Sequence, residues 1–194
     1  KMGKATALLS KSSTINKDID ICCYDIEPER CIPETTTLKE IAEMDIIFIC
    51  LPTPMKFNGA CHTDVVEEAV NHLRSEKTKA HIVIRSTVTP GTTKRLKCHY
   101  MPYFNSELNW EDDTSKTDSW LIGVNHELET ANKFKTIISE FISRAKQNET
   151  IQHDKVEYIS LEEAEIVKYT RNAFLATKVA FFNEIKSYCD RVGV

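Results

Sequence analysis

Residues 45–54 read DIIFICLPTP, and residues 81–92 read HIVIRSTVTPGT. Each stretch holds a near-continuous run of branched apolar residues without the alternation of a half-buried strand. Each therefore predicts a strand buried on both faces. Each run then gives way to a turn rich in proline and hydroxyls. Between them, HTDVVEEAVNHLRSE (62–76) sets Val65, Val66, Ala69, Val70 and Leu73 on one helical stripe, with Thr63 or Asp64 available as a cap. Buried strand, helix, buried strand is the repeating unit of an open, mostly parallel sheet.

The same alternation extends both ways. Upstream, 4–11 (KATALLSK) predicts a short helix, 19–26 (IDICCYDI) a strand ending in an acid, and 37–43 (TLKEIAE) another helix. Downstream, 89–96 is a turn running into a helix, 99–104 and 119–124 start strands, 128–145 is an amphipathic helix, and 156–160 is extended. From Leu161 to about Arg191 the pattern is helical, with no Gly or Pro. At about 1.5 Å per residue that helix spans on the order of 45 Å, long enough to leave the first domain and serve a second domain or an oligomer interface. The fold class is α/β: a Rossmann-like doubly wound, mostly parallel sheet over 1–155, then a long α-helix in a region spanning 156–194. No internal repeat is found.

Composition bounds the function. The chain has 194 residues, 41% of them hydrophobic, with 25 Lys+Arg against 29 Asp+Glu and a net charge of −4. Mild acidity gives no pull toward nucleic acid or an anionic membrane. No apolar run approaches the ~18 residues of a membrane-spanning helix, and the opening KMGKATALLSKSS has no signal-peptide pattern. The 7 cysteines are odd in number, lack any CxxC pair and lie partly in apolar runs. They predict free thiols in a reducing, cytoplasmic compartment. Cys61-His62 and Cys98-His99 are adjacent pairs, which rarely chelate one ion together, so no metal site is expected.

Gly3 stands at the start of the first helix, and Asp25 follows 22 residues later at the end of a predicted strand. This matches the last part of a dinucleotide-binding fingerprint, in which an acid about 20 residues beyond the final glycine holds ribose hydroxyls. The first strand and first two glycines of that fingerprint would lie before Lys1. The alternative is a helix-packing glycine and an ordinary strand-end acid. The Leu51-Pro52-Thr53-Pro54 and Ser86–Thr92 turns lie beyond the carboxyl ends of strands, where ligands of open α/β sheets bind. Their hydroxyls and amides suit a pyrophosphate, a ribose or a carboxamide. Proline-ordered turns with Ser/Thr caps are the alternative.

Five blocks in one order, DIIFICLPTP, IVIRSTVTPGTT, MPYFNSELNWEDD, WLIGV and LEEAEIVKYTRNAFLATKVAFFNEI, resemble the UDP-glucose/GDP-mannose dehydrogenase family over nearly the whole chain. The resemblance implies an N-terminal NAD-binding domain and part of a central dimer-forming helix, without the family's C-terminal UDP-sugar domain. It implies that Asp25, Arg30, Gly3, Thr53, Thr87 and Glu107 contact NAD. Thr87 also lies near the reacting centre in the family. It implies that Lys168 and Asn172, of the ExxKxxxN pattern beginning at Glu165, meet a UDP-sugar and stabilise oxyanions. Their spacing of four puts both on one helix face. Two departures stand out. Tyr103 occupies the place of the family's acid/base Glu, and none of the seven cysteines matches the family's nucleophile, which lies in the C-terminal domain.

Three readings follow. The first is the N-terminal, cofactor-binding portion of an enzyme that oxidises UDP-glucose to UDP-glucuronate with NAD in preference to NADP, as a homodimer joined through residues 173–185. The second, favoured by Tyr103, is a catalytically inactive relative kept for nucleotide binding or assembly. The third is an unrelated Rossmann-like binding module.

Overall fold

The computed structural model describes residues 2–9, 21–104, 106 and 108–194. Its elements in chain order are α1 (Met2–Leu8), α2 (Leu38–Ala42), β1 (Ile46–Ile49), α3 (Asp64–Ser75), β2 (His81–Ile84), α4 (Thr92–Arg95), β3 (His99–Tyr100), α5 (Trp110–Ser115), β4 (Trp120–Gly123), α6 (Ala131–Gln147), β5 (Val156–Ile159) and α7 (Leu161–Val192), with a 3₁₀ turn at Pro28–Arg30. Among the described residues, five strands form one sheet in the order β1-β2-β3-β4-β5. All neighbours run parallel except β3 and β4, which meet antiparallel at Tyr100 and Gly123.

The apolar runs split by parity, as a pleated strand requires. Ile47 and Ile49 of β1 and Ile82 and Ile84 of β2 pack with Val66, Val70 and Leu73 of α3 and with Leu161 and Ala164 of α7. On the opposite face, Val83, Trp120 and Ile122 pack with Leu9, just beyond α1, and with Phe134, Ile138 and Ile142 of α6. Helices therefore cover both faces of a mostly parallel sheet, as the sequence predicts.

One predicted strand is absent. Of 19–26, residues 19 and 20 lie outside the described set, and the rest join no strand of the sheet. Cys23 forms a lone antiparallel bridge with Ile32. A strand needs a hydrogen-bonded neighbour, and among the described residues none flanks this segment, so Ile21, Tyr24 and Ile26 stay exposed. The helix at α5, six residues with three consecutive acids, carries no apolar stripe and was not predicted.

The long helix forms as the uninterrupted pattern demands. Ser160 caps it, accepting from the Glu163 N–H at 3.2 Å while the Glu163 carboxylate accepts from the Ser160 N–H at 2.9 Å. Gly193 ends it in the left-handed region at φ 76°. Its first turns press onto β4 at Gly123, where a Cβ would lie 2.9 Å from Ala164 Cβ and 3.2 Å from Leu161 Cα. Only a glycine admits so close an approach.

Candidate cofactor and substrate site

The turns after β1 and β2 meet. The Thr53 hydroxyl donates to the Thr87 carbonyl at 2.7 Å, and the Ser86 hydroxyl donates to the Leu51 carbonyl at 2.7 Å. These bonds lock the two loops into one rim beyond the carboxyl ends of adjacent parallel strands. Cys61 joins the rim, its thiol 3.5 Å from the Thr87 carbonyl and beside the Tyr169 phenol of α7. Burial and that thiol push the Tyr169 phenol up to about 12. Gly3, near the start of α1, faces the end of β1, where an added Cβ would meet Cys50 Cβ at 3.9 Å, an ordinary contact. Close packing therefore does not account for a glycine there.

Asp25 accepts from the Glu27 N–H through Oδ1 at 3.0 Å. Its second oxygen has no partner among the described residues. Arg30 pairs with Glu27 at 2.8 Å on the surface. Glu107 lies outside the described residues.

A cleft of about 680 Å³ opens between the chain leaving β3 and the middle of α7, lined among others by Arg85, Phe104, Lys168, Arg171 and Asn172. Lys168 donates to the Tyr103 carbonyl, and both Lys168 and Arg171 lie over the Phe104 ring, 5.5 and 4.8 Å from its centroid. Burial first, then Arg171 and Arg85, push the Lys168 ammonium down to about 8. Asn172 stands one turn further along the same face of α7. Lys168 and Asn172 thus line one cleft, and Tyr103 meets Lys168 through its backbone carbonyl.

Two residues at this site escaped the sequence. Glu165, fully buried, accepts from the Gly91 and Thr93 N–H groups at 2.6 and 2.9 Å and from the Thr93 hydroxyl at 2.8 Å. It clasps α7 to the start of α4 and so sets the height of Lys168. Arg85, read only as the end of an apolar run, is buried against Tyr103, its guanidinium 5.4 Å from the ring centroid. For Arg85 the signal was a charge at the end of an apolar run, and for Glu165 a place on the same helix stripe as Leu161, Ala164 and Lys168. No group of three or more metal-ligating side chains is found among the described residues, and none of their helices is long and apolar enough to cross a membrane.

Residues 27–142 match the NAD binding domain of the UDP-glucose/GDP-mannose dehydrogenase family, and residues 162–194 match its central domain. The chain belongs to this family. It is 31% identical over 175 residues to UDP-glucose 6-dehydrogenase YwqF of Bacillus subtilis (strain 168), covering 82% of this chain and 37% of that protein. It is 34% identical over 171 residues to UDP-glucose 6-dehydrogenase TuaD of the same organism, covering 79% of this chain and 34% of that protein. The chain thus spans about a third of the length of these relatives. Among solved structures, GDP-mannose dehydrogenase from Pseudomonas aeruginosa superposes with a TM-score of 0.66 at 25% identity, over 82% of this chain and 39% of that one.

The family's NAD-binding domain covers the 3₁₀ turn through most of α6, and NAD is the cofactor it takes. The residues present fit that group. Thr87 offers a hydroxyl at a strand end with no partner among the described residues, Thr53 keeps its lone pairs, and Asp25 keeps one carboxylate oxygen without a hydrogen bond among the described residues.

Proposed function

We propose that this chain supplies the cofactor-binding portion and the start of the central helix of an NAD-dependent UDP-sugar dehydrogenase. The reaction is oxidation of UDP-glucose to UDP-glucuronate, in a cytoplasm that keeps its thiols reduced. The observation that carries this reading is the pairing of Lys168 and Asn172 on one face of α7, with Lys168 held to the Tyr103 carbonyl in the cleft. NAD would supply the hydride-accepting chemistry. Asp25 would accept hydrogen bonds from the adenosine ribose, and Gly3, Arg30, Thr53, Thr87 and Glu107 would complete the cofactor contacts. Thr87, at the rim, orients a water or a carboxamide. Lys168 and Asn172 both donate toward the oxygen of the carbon being oxidised, where negative charge develops.

Asp25 supports NAD over NADP, because a 2′-phosphate would be repelled by its carboxylate. Titration of the intact natural protein with both cofactors tests this, and tighter NADP binding would overturn the role of Asp25. The exposed residues Phe174, Leu175, Val179, Phe181, Phe182 and Ile185 of α7 support a homodimer through this helix.

Tyr103 favours a second reading, an inactive relative that binds nucleotide. A phenol, with a reference pKa of about 10, is a poor base near neutrality. The substitution Tyr103→Glu in the intact protein separates the two. A general acid/base group is typically worth about 10²–10⁴ in rate, so the variant should form NADH faster if the site is a working one. NAD binding with no NADH from either form would leave the inactive relative.

A further inference from the structure

Arg85 follows β2 directly and is 3% exposed. A guanidinium keeps its charge in proteins, and burying a charge without a counter-ion is costly. Its Nη1 donates to the Thr6 hydroxyl of α1 at 2.8 Å, while its Nε has no hydrogen-bond partner among the described residues. The ionisable groups around it are Cys50, Tyr103 and Tyr100, and those around Lys168 are Arg171 and Arg85 itself. Among the described residues, no carboxylate is one of them. The buried Glu165 is engaged by Gly91 and Thr93. Of the acids lining the cleft, Asp113 accepts from the Ser106 N–H and hydroxyl at 2.7 and 2.9 Å, and Asp118 pairs with His153 at 3.8 Å. Among the described residues, the inner end of the cleft thus holds a buried Arg85, a partly buried Lys168 and no carboxylate paired with either.

A guanidinium offering Nε and its second Nη matches a pair of anionic oxygens in one plane. A sugar carboxylate and a diphosphate both carry such oxygens. Arg85 shares the cleft with Lys168 and Asn172, while Thr53 and Cys61 form the separate rim, and this favours the carboxylate. We propose that Arg85 is an anion-binding residue of the cleft which, with Lys168, seats the carboxylate of an oxidised sugar nucleotide. The inference rests on the reaction proposed above and assigns the product's charged group a place in it.

The test is calorimetric titration of the intact natural protein, its Arg85→Gln variant and its Arg85→Lys variant with UDP-glucuronate, UDP-glucose and NAD. A hydrogen bond between charged groups typically carries about tenfold or more in affinity. Arg85→Gln should weaken UDP-glucuronate by about tenfold or more and leave UDP-glucose and NAD within about threefold, with Arg85→Lys recovering part of the loss. Equal weakening of both sugar nucleotides, or selective loss of NAD, would overturn the proposal, since Arg85 would then serve a diphosphate. No change in any arm would overturn it as well. An unmodified protein that binds NAD but neither sugar nucleotide would instead refute the underlying function. If Arg85→Gln does not fold, formate competition with the unmodified protein decides. Formate should weaken UDP-glucuronate and spare UDP-glucose, and an equal effect on both or none on either would overturn the seat.

Discussion

Lys168 combines a partly buried position with two neighbouring cations, Arg171 and Arg85, so its ammonium is held at about 8 instead of its usual value near 10.5. Its positive charge is therefore lost as pH rises through about 8. Activity that depends on that charge should fall on the basic side of the pH profile with a midpoint near there. Replacing Arg171 with Gln removes one repulsion and should move that limb upward, while an unmoved limb would mean that Lys168 does not control it. His99 gives a residue-scale prediction about stability. It is fully buried, stacked on Phe134 at 3.6 Å, and accepts from the Asn125 N–H through Nδ1 at 3.2 Å. Burial, then the nearby His81 and His126, push it down to about 3. The folded state refuses a proton that the unfolded chain takes near pH 6.5. This contribution is fully present above about 6.5 and is lost as pH falls toward 3, by up to about 1.4 kcal/mol per pH unit. Denaturant titrations from pH 7 to 4 should show a shallower decline in His99→Gln than in the natural protein. At this scale the spacing of Lys168 and Asn172 was legible, because helical periodicity alone puts residues four apart on one face. Arg85 was not, because its burial depends on Thr6 and Tyr103, which are close only after folding.

The first turns of α7 are fixed by Gly123 and Glu165, and the position of Lys168 follows from them. A methyl at Gly123 would meet Ala164 Cβ at 2.9 Å and the backbone of Leu161 at 3.2 Å. Gly123→Ala should therefore cost about 1–3 kcal/mol of stability, as overpacked sites do. Adding Ala164→Gly should return only part of it, since the Leu161 backbone still crowds the new methyl. Full recovery or no cost in thermal unfolding would contradict this contact. Glu165→Ala strips the acceptor from two N–H groups at the start of α4. Each buried donor left unpaired costs about 1–3 kcal/mol, so a loss of about 2–5 kcal/mol is expected. Unfolding followed by circular dichroism checks it, and a change under about 0.5 kcal/mol, the range of ordinary surface substitutions, would rule out the clasp. The buried strands β1 and β2 were legible because continuous apolar runs leave few alternatives. The segment at 21–26 misled because an apolar run predicts a buried strand only where a neighbour exists to pair with it.

Across the whole molecule, α/β alternation was readable from period alone, and the helices do cover both faces of the sheet. The convergence of Thr53, Thr87 and Cys61 on one rim was only half readable. Sequence places hydroxyls after strands, but the register of β1 against β2, Ile46 opposite His81, decides which turns meet. The exposed apolar face of α7 suits the homodimer proposed above, so the intact protein should sediment as a dimer at micromolar concentration. Replacing Phe181 and Phe182 with Asp should shift it toward monomer, and a natural protein that is already monomeric would remove α7 as a self-association surface. The central claim, that this fold serves NAD-dependent oxidation of a UDP-sugar, is tested most directly by counting NADH formed per UDP-glucose consumed by the intact natural protein. Two NADH per UDP-glucose are expected, slowly with Tyr103 and faster with Tyr103→Glu, and lost in Lys168→Ala. Full occupancy by NAD with no NADH from UDP-glucose, in both the natural protein and the Tyr103→Glu variant, would contradict it.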